Sequence, residues 1–208
     1  MLPTTIPIFP LPNVVLFPNV FLPLHIFEPR YRAMLADALA GDRLIGMTLL
    51  QPGFEAQYHG RPPVYPIGCA GVITHAEQLP DGRSNVVLRG LEKFRIIDED
   101  ASREYRLARI EHLPETLSAP EKVVLRQRRN RLEARLAVAI ERGGADPRFP
   151  SVISDEDMVN ALSQYLGLEP VERQALLERP GIVARCEALI ELLDMKTFLP
   201  GGGPTSVH

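Results

Sequence analysis

Apolar positions change their spacing near residue 114. Before it they come in short runs closed by Pro, Gly or charged residues; after it they recur three and four residues apart. Short runs with turn residues at both ends predict strands, and the wider spacing predicts helices. Residues 6–11, "IPIFPL", read as a first strand. Residues 13–27, "NVVLFPNVFLPLHIF", carry Pro18 and Pro23 among their apolar side chains. Proline has no N–H for a ladder, so this stretch reads as a stiff, mostly buried connection. In "EPRYRAMLADALAGDR", Tyr31, Met34, Leu35, Ala38 and Leu39 fall on one helical face, with Pro29 in the first turn and Gly41 as the stop. "RLIGMTLL" reads as a strand and residues 51–66 as a Gly- and Pro-rich loop. The β-rich runs 67–79 and 84–100 flank "PDGR", a hairpin mark in which Gly82 supplies the positive φ. "EYRLARIEHL" adds a strand, giving about six strands and one helix over residues 1–114.

Helical spacing then takes over. Val124, Leu125, Leu132, Leu136, Ala139 and Ile140 predict a helix ending at Gly143-Gly144. Ser154 and Asp157 form a capping-box pattern ahead of a helix that buries Met158, Leu162 and Tyr165. "EPVERQALLE" and "RPGIVARCEALIELLDM" predict two more, the second packing Val183, Cys186, Leu189, Ile190 and Leu193, and "PGGGPTSVH" reads as a flexible tail. The expected fold class is α+β, with a β-rich domain over 1–116 and a helical domain over 117–208.

Composition narrows the function classes. The chain has 208 residues, 45% hydrophobic and 24% charged, with a net charge of -3. A mildly acidic chain has no global attraction to nucleic acid or acidic lipid. Cys69 and Cys186 form no CxxC pair, so they read as buried thiols rather than a disulfide framework or zinc site. The N-terminus shows no basic region and no cleavage site of a secretory signal, so a cytoplasmic location is expected. Pro10, Pro12, Pro18, Pro23 and Pro29 interrupt the apolar residues 10–35, which excludes that stretch as a membrane helix.

Motifs for chemistry are missing from the sequence. It holds no GxxxxGK[ST], GxSxG or HExxH pattern. His25, His59, His75, His112 and His208 include no pair at helical metal-ligand spacing, and His75 reads as an exposed strand residue. Residues 98–100, "DED", read as solvated acids at a strand end. No cofactor or metal is expected. Lys122, Arg126, Arg128, Arg129, Arg131 and Arg135 make one helix basic. A phosphate-binding face using Lys122, Arg126 and Arg129 is one interpretation, and the solvated side of an amphipathic helix is the favoured one.

Two stretches carry a family resemblance: "IPIFPLPNVVLFPNVFLPLHIFEPRYRAML" and "YPIGCAGVITHAEQLPDGRSNVVLRGLEKFRI". Together, and with the helical half ending "ERPGIVARCEALIELLD", they resemble the N-terminal substrate-binding domain of the ATP-dependent Lon protease over most of residues 5–195. The resemblance implies a PUA-like β-barrel followed by a helical bundle. It implies a non-catalytic module that binds unfolded or partner polypeptides. The chain ends at His208 with no P-loop, so a stand-alone substrate-binding domain is expected, without ATPase or protease activity. Phe17, Phe21, Phe27 and Phe54 are the candidate peptide contacts, although each is also an ordinary core residue type. RNA binding through the basic helix is the alternative.

Overall fold

A computed structural model describes residues 2–54, 57–58, 60–141 and 153–198. These form six strands and five helices. In chain order they are β1 (Thr5–Leu11), β2 (Phe21–Ile26), α1 (Pro29–Ala40), β3 (Leu44–Leu49), β4 (Ile67–Gln78), β5 (Ser84–Asp100) and β6 (Arg106–Leu113). The helices α2 (Ala119–Glu141), α3 (Asp155–Tyr165), α4 (Pro170–Leu177) and α5 (Ile182–Phe198) follow. His59, Gly143, Gly144, the 200–208 tail and the side chains of Ala139 and Ile140 lie outside the described part.

The chain groups into two compact units. The first takes residues 1–116 together with 160–178, and the second takes 117–159 together with 179–208. The composition change near 116 therefore ends only the first segment of the sheet unit. Residues 160–178 join it through buried hydrogen bonds that helical periodicity does not signal. The Gln164 Oε1 accepts the Phe17 N–H at 3.0 Å, and Gln174 Nε2 donates to the Ile67 carbonyl at 2.9 Å. Lys93 is buried, donating to the Leu177 carbonyl at 3.1 Å and pairing with Glu115 at 2.8 Å.

The strand order is β2-β5-β4-β3-β1-β6, and β5 also pairs with β6, so five strands close into a ring and β2 lies outside it. The length of β5 makes this possible: its first half pairs with β2 and its second half with β6, both on the edge opposite β4. Ile6, Ile8, Ala70, Phe94, Ala108 and Ile110 fill the apolar core together with Leu2. The two prolines of β1 are accommodated by its divided pairing. Thr5–Ile8 pair only with β6 except at Ile8, and Ile8–Leu11 pair with β3, so neither Pro7 nor Pro10 has to serve two neighbours.

α1 begins with Pro29 at its N-terminus and buries Tyr31, Met34, Leu35 and Ala38; Leu39 is half-buried. The ring of Tyr31 lies 4.3 Å from that of Phe9 on β1. Gly82 takes φ 81° in the β4–β5 hairpin, as the Asp-Gly pattern requires.

In the second unit, Leu125, Leu132 and Leu136 of α2 are buried, as are Cys186, Leu189 and Ile190 of α5. Val124 is exposed and Val183 and Leu193 are half-buried, so the apolar stripes are narrower than their spacing implies. The Ser154 hydroxyl accepts the Asp157 N–H at 3.0 Å at the start of α3. Among the described residues, no helix is long and apolar enough to cross a membrane.

Candidate functional site

The stretch expected to be a buried connection holds an exposed strand. Residues 21–26 alternate: Phe21, Pro23 and His25 face solvent, while Leu22 and Leu24 are half-buried and Ile26 is fully buried. This is the period-2 pattern of a strand with one face on the core. Pairing with β5 sets the register, with Phe21 opposite Arg89, Pro23 opposite Val87 and His25 opposite Asn85.

β2 is the edge strand, and two of its outward backbone positions are closed to a further strand. The Phe21 carbonyl accepts from the Tyr165 hydroxyl at 2.7 Å and from Gln164 Nε2 at 3.2 Å. Its backbone therefore points away from β5. By strand alternation Pro23 and His25 point the same way. Pro23 thus occupies a position where a missing N–H costs no ladder bond, and it also removes a donor from the open edge. The backbone of this edge is poorly suited to accept a further strand, whereas its side chains are presented freely.

Large aromatic side chains are exposed at both ends of this strand. Phe21 is 50% exposed, Phe27 59% and Tyr165 61%. The expectation that Tyr165 is core is corrected: its side chain is exposed, its hydroxyl holds the Phe21 carbonyl, and partial burial raises the phenol above its usual value. His25 stacks on Phe27 with ring centroids 6.2 Å apart and bonds Asn85 at 2.9 Å. Behind Phe27 the chain is pinned by the first turn of α1. The Tyr58 hydroxyl donates to Glu28 at 2.8 Å, and Arg30 pairs with Glu28 at 3.1 Å and lies 4.5 Å over the Tyr31 ring. Burial, reinforced by the Glu28 carboxylate, pushes the Tyr58 phenol well above its ordinary range.

Phe17 is corrected from contact to core, with no exposed surface. Its carbonyl lies against Gly90, where any Cβ would collide with it, and the flanking Asn19 N–H and Val20 carbonyl bond the Gly90 backbone at 2.9 Å each. This close approach fixes the chain immediately before β2. Phe54 is half-buried in the 50–66 loop and is not part of the β2 face. Phe21 at the start of β2 and Phe27 just past its end are thus exposed, whereas Phe17 is buried and Phe54 half-buried. Sequence reasoning missed Pro23, Tyr165, Val87 and Arg89. The alternation in "FLPLHIF" was a usable signal for Pro23; the helix-borne Tyr165 had none.

The basic helix is engaged with acids of its own unit. Asp155 receives Arg126 and Arg129, each at 2.7 Å, and Arg129 also pairs with Glu133 at 2.9 Å. Arg128 pairs with Glu187 at 3.1 Å, and Arg131 and Arg135 reach Asp194 at 3.5 and 3.0 Å. Arginines already paired with acids must give up those pairs before they can neutralise phosphates and release the counterions condensed on a nucleic acid. Lys122 is exposed and lines a shallow groove of about 550 Å³ with Val123 and Gln127, across which Arg126 meets Asp155. Among the described residues no group of His, Cys, Asp and Glu side chains is arranged to hold a metal. In the 98–100 acid run, Glu99 is taken up by Arg106 at 2.5 Å and Asp100 by Ser102 at 2.9 Å.

Comparison with known proteins decides the family. Residues 5–195 match the family described as the ATP-dependent protease La (LON) substrate-binding domain. The chain belongs to the LON substrate-binding domain family. Its curated relatives include Lon protease 1 of Herpetosiphon aurantiacus, 28% identical over 204 residues and covering 92% of this chain. Lon protease 2 of Syntrophobacter fumaroxidans is 28% identical over 188 residues, covering 89% of this chain. In both, the match takes up 24% of the relative, so the chain spans about a quarter of their length. The fold is that of solved Lon N-terminal domains. The crystal structure of a Lon N-terminal domain protein from Xanthomonas campestris superposes with TM-score 0.62 at 21% identity, covering 95% of this chain and 99% of that one. The N-terminal domain of the Mycobacterium avium complex Lon protease gives TM-score 0.63 at 18% identity, covering 91% and 98%. Membership of this family supports a role for the LON domain in recognising substrate.

Proposed function

We propose that the sheet unit binds apolar segments of unfolded or partner polypeptides on the outer face of β2, without catalysing a reaction on them. The observation that carries this is the pair of half-exposed phenylalanines, Phe21 and Phe27, displayed on a backbone held from both sides. Exposed large aromatics are enriched at the centres of interfaces. A pinned backbone also loses little further entropy on binding. The family description names a substrate-binding domain, and the substrate of a protease is polypeptide.

In this proposal the closed ring of strands serves as a PUA-like barrel that displays β2, and the helices of the second unit form a bundle. The two cysteines are buried free thiols, which fits a reducing compartment and hence the cytoplasm.

Titration of a labelled, permanently unfolded model protein tests the proposal. Burying the exposed half of a phenylalanine ring contributes about 1–2 kcal/mol, so Phe21→Ala combined with Phe27→Ala is expected to weaken binding at least tenfold. Affinity should hold when salt is raised from low to moderate, because apolar burial is not screened. Unchanged affinity in a folded double variant refutes the β2 site. Binding that salt abolishes points instead to a charged surface.

A further inference from the structure

We infer that Arg89 makes the β2 face selective for polypeptide segments in which an aromatic or large aliphatic side chain lies beside a carboxylate. This rests on the β2 face being the polypeptide site, and it names the chemistry of the occupant.

Arg89 is exposed and stands directly opposite Phe21 across the β2–β5 pair. Opposite residues share a sheet face. Because the Phe21 carbonyl is turned away to Tyr165, this is a non-hydrogen-bonded pair, in which the two side chains stand closest. Five of the eleven arginines of the sheet unit are ion-paired elsewhere. Arg30 pairs with Glu28, Arg83 with Asp81, Arg95 with Glu111, Arg103 with Asp37 and Arg106 with Glu99. Among the described residues Arg89 makes no ion pair. Its neighbour on β4 is Val72, which supplies no charge.

Charge along the face is therefore polar in direction. The cation lies at the Phe21 end. Across the sheet, Glu77 is opposite Asn85 at the His25 end. A segment that buries an apolar side chain against Phe21 places its flanking residue within reach of the guanidinium. A carboxylate there completes a pair beside buried apolar surface, where arginine binds well, and an ammonium is repelled.

The test uses three synthetic peptides with one Phe-containing apolar core, flanked by Asp, Ser or Lys. They are titrated at low salt against the wild-type chain and against Arg89→Glu and Arg89→Lys variants whose melting temperatures are unchanged. Wild type is expected to bind the Asp peptide about three- to tenfold more tightly than the Lys peptide, with Ser between them. Arg89→Lys should keep that order and Arg89→Glu should reverse it, with the Ser peptide little affected. Equal binding of all three peptides to wild type, or an order that survives Arg89→Glu, overturns the Arg89 assignment alone. Failure of all three to bind overturns the assignment and the β2 site together.

Discussion

Phe17 and Phe21 lie four residues apart and do opposite work. Phe17 is enclosed against Gly90, while Phe21 offers half of its surface to solvent above the strand that Phe17 positions. Truncating a fully enclosed phenylalanine removes its transfer energy and leaves a cavity, typically about 3–5 kcal/mol. Phe17→Ala is therefore expected to lower the melting temperature by many degrees, and Phe21→Ala by two degrees or fewer. Thermal unfolding of the two variants checks this; equal losses would mean that Phe21 is core as well. Composition offered no way to separate these residues, because both sit beside prolines in the same apolar run. What separates them is pairing: the chain before Asn19 is stapled to the middle of β5, and the chain after Val20 runs along its edge. Gly90 is the residue that permits the staple, and its need to be glycine follows from a contact made 73 positions back in the sequence, between it and Phe17.

β2 shows how an edge strand can expose side chains while withholding its backbone. Tyr165 and Gln164 occupy the Phe21 carbonyl, and Pro23 has no N–H. Binding is thus expected to proceed through side chains rather than by adding a strand, a mode that depends on main-chain hydrogen bonds. N-methylation of alternate amides in a bound peptide should cost less than about threefold in affinity, measured by competition against the unmodified peptide. A loss of a hundredfold would show that the edge does pair. Most elements were legible from the sequence. The helix over Pro29–Ala40, the Gly82 hairpin and the strand-to-helix change all follow from local spacing and turn chemistry. β2 was not, because two prolines were weighed as strand breakers when one lies before the strand and the other faces its open side. Residues 160–178 were not either. Their helical spacing is genuine, but Gln164, Gln174 and the Leu177 carbonyl join them to the sheet unit through long-range polar bonds that periodicity does not record.

At the scale of the whole molecule, two compact units divide the polar and apolar resources of the chain. The helical unit holds the arginines that give residues 121–135 their basic look, and spends them on Asp155, Glu187 and Asp194. The sheet unit holds the exposed Phe21 and Phe27 and, opposite Phe21, Arg89, which makes no ion pair among the described residues. Family membership covers residues 5–195, so both units belong to the matched domain. The most direct test of the β2 site is amide chemical-shift mapping of the isotopically labelled chain during titration with an unfolded apolar peptide. Shifts are expected to concentrate on residues 21–27, 85–89 and the end of α3 at Gln164 and Tyr165. Shifts confined to α2 around Lys122, Arg126 and Arg129, with β2 unmoved, would contradict the account.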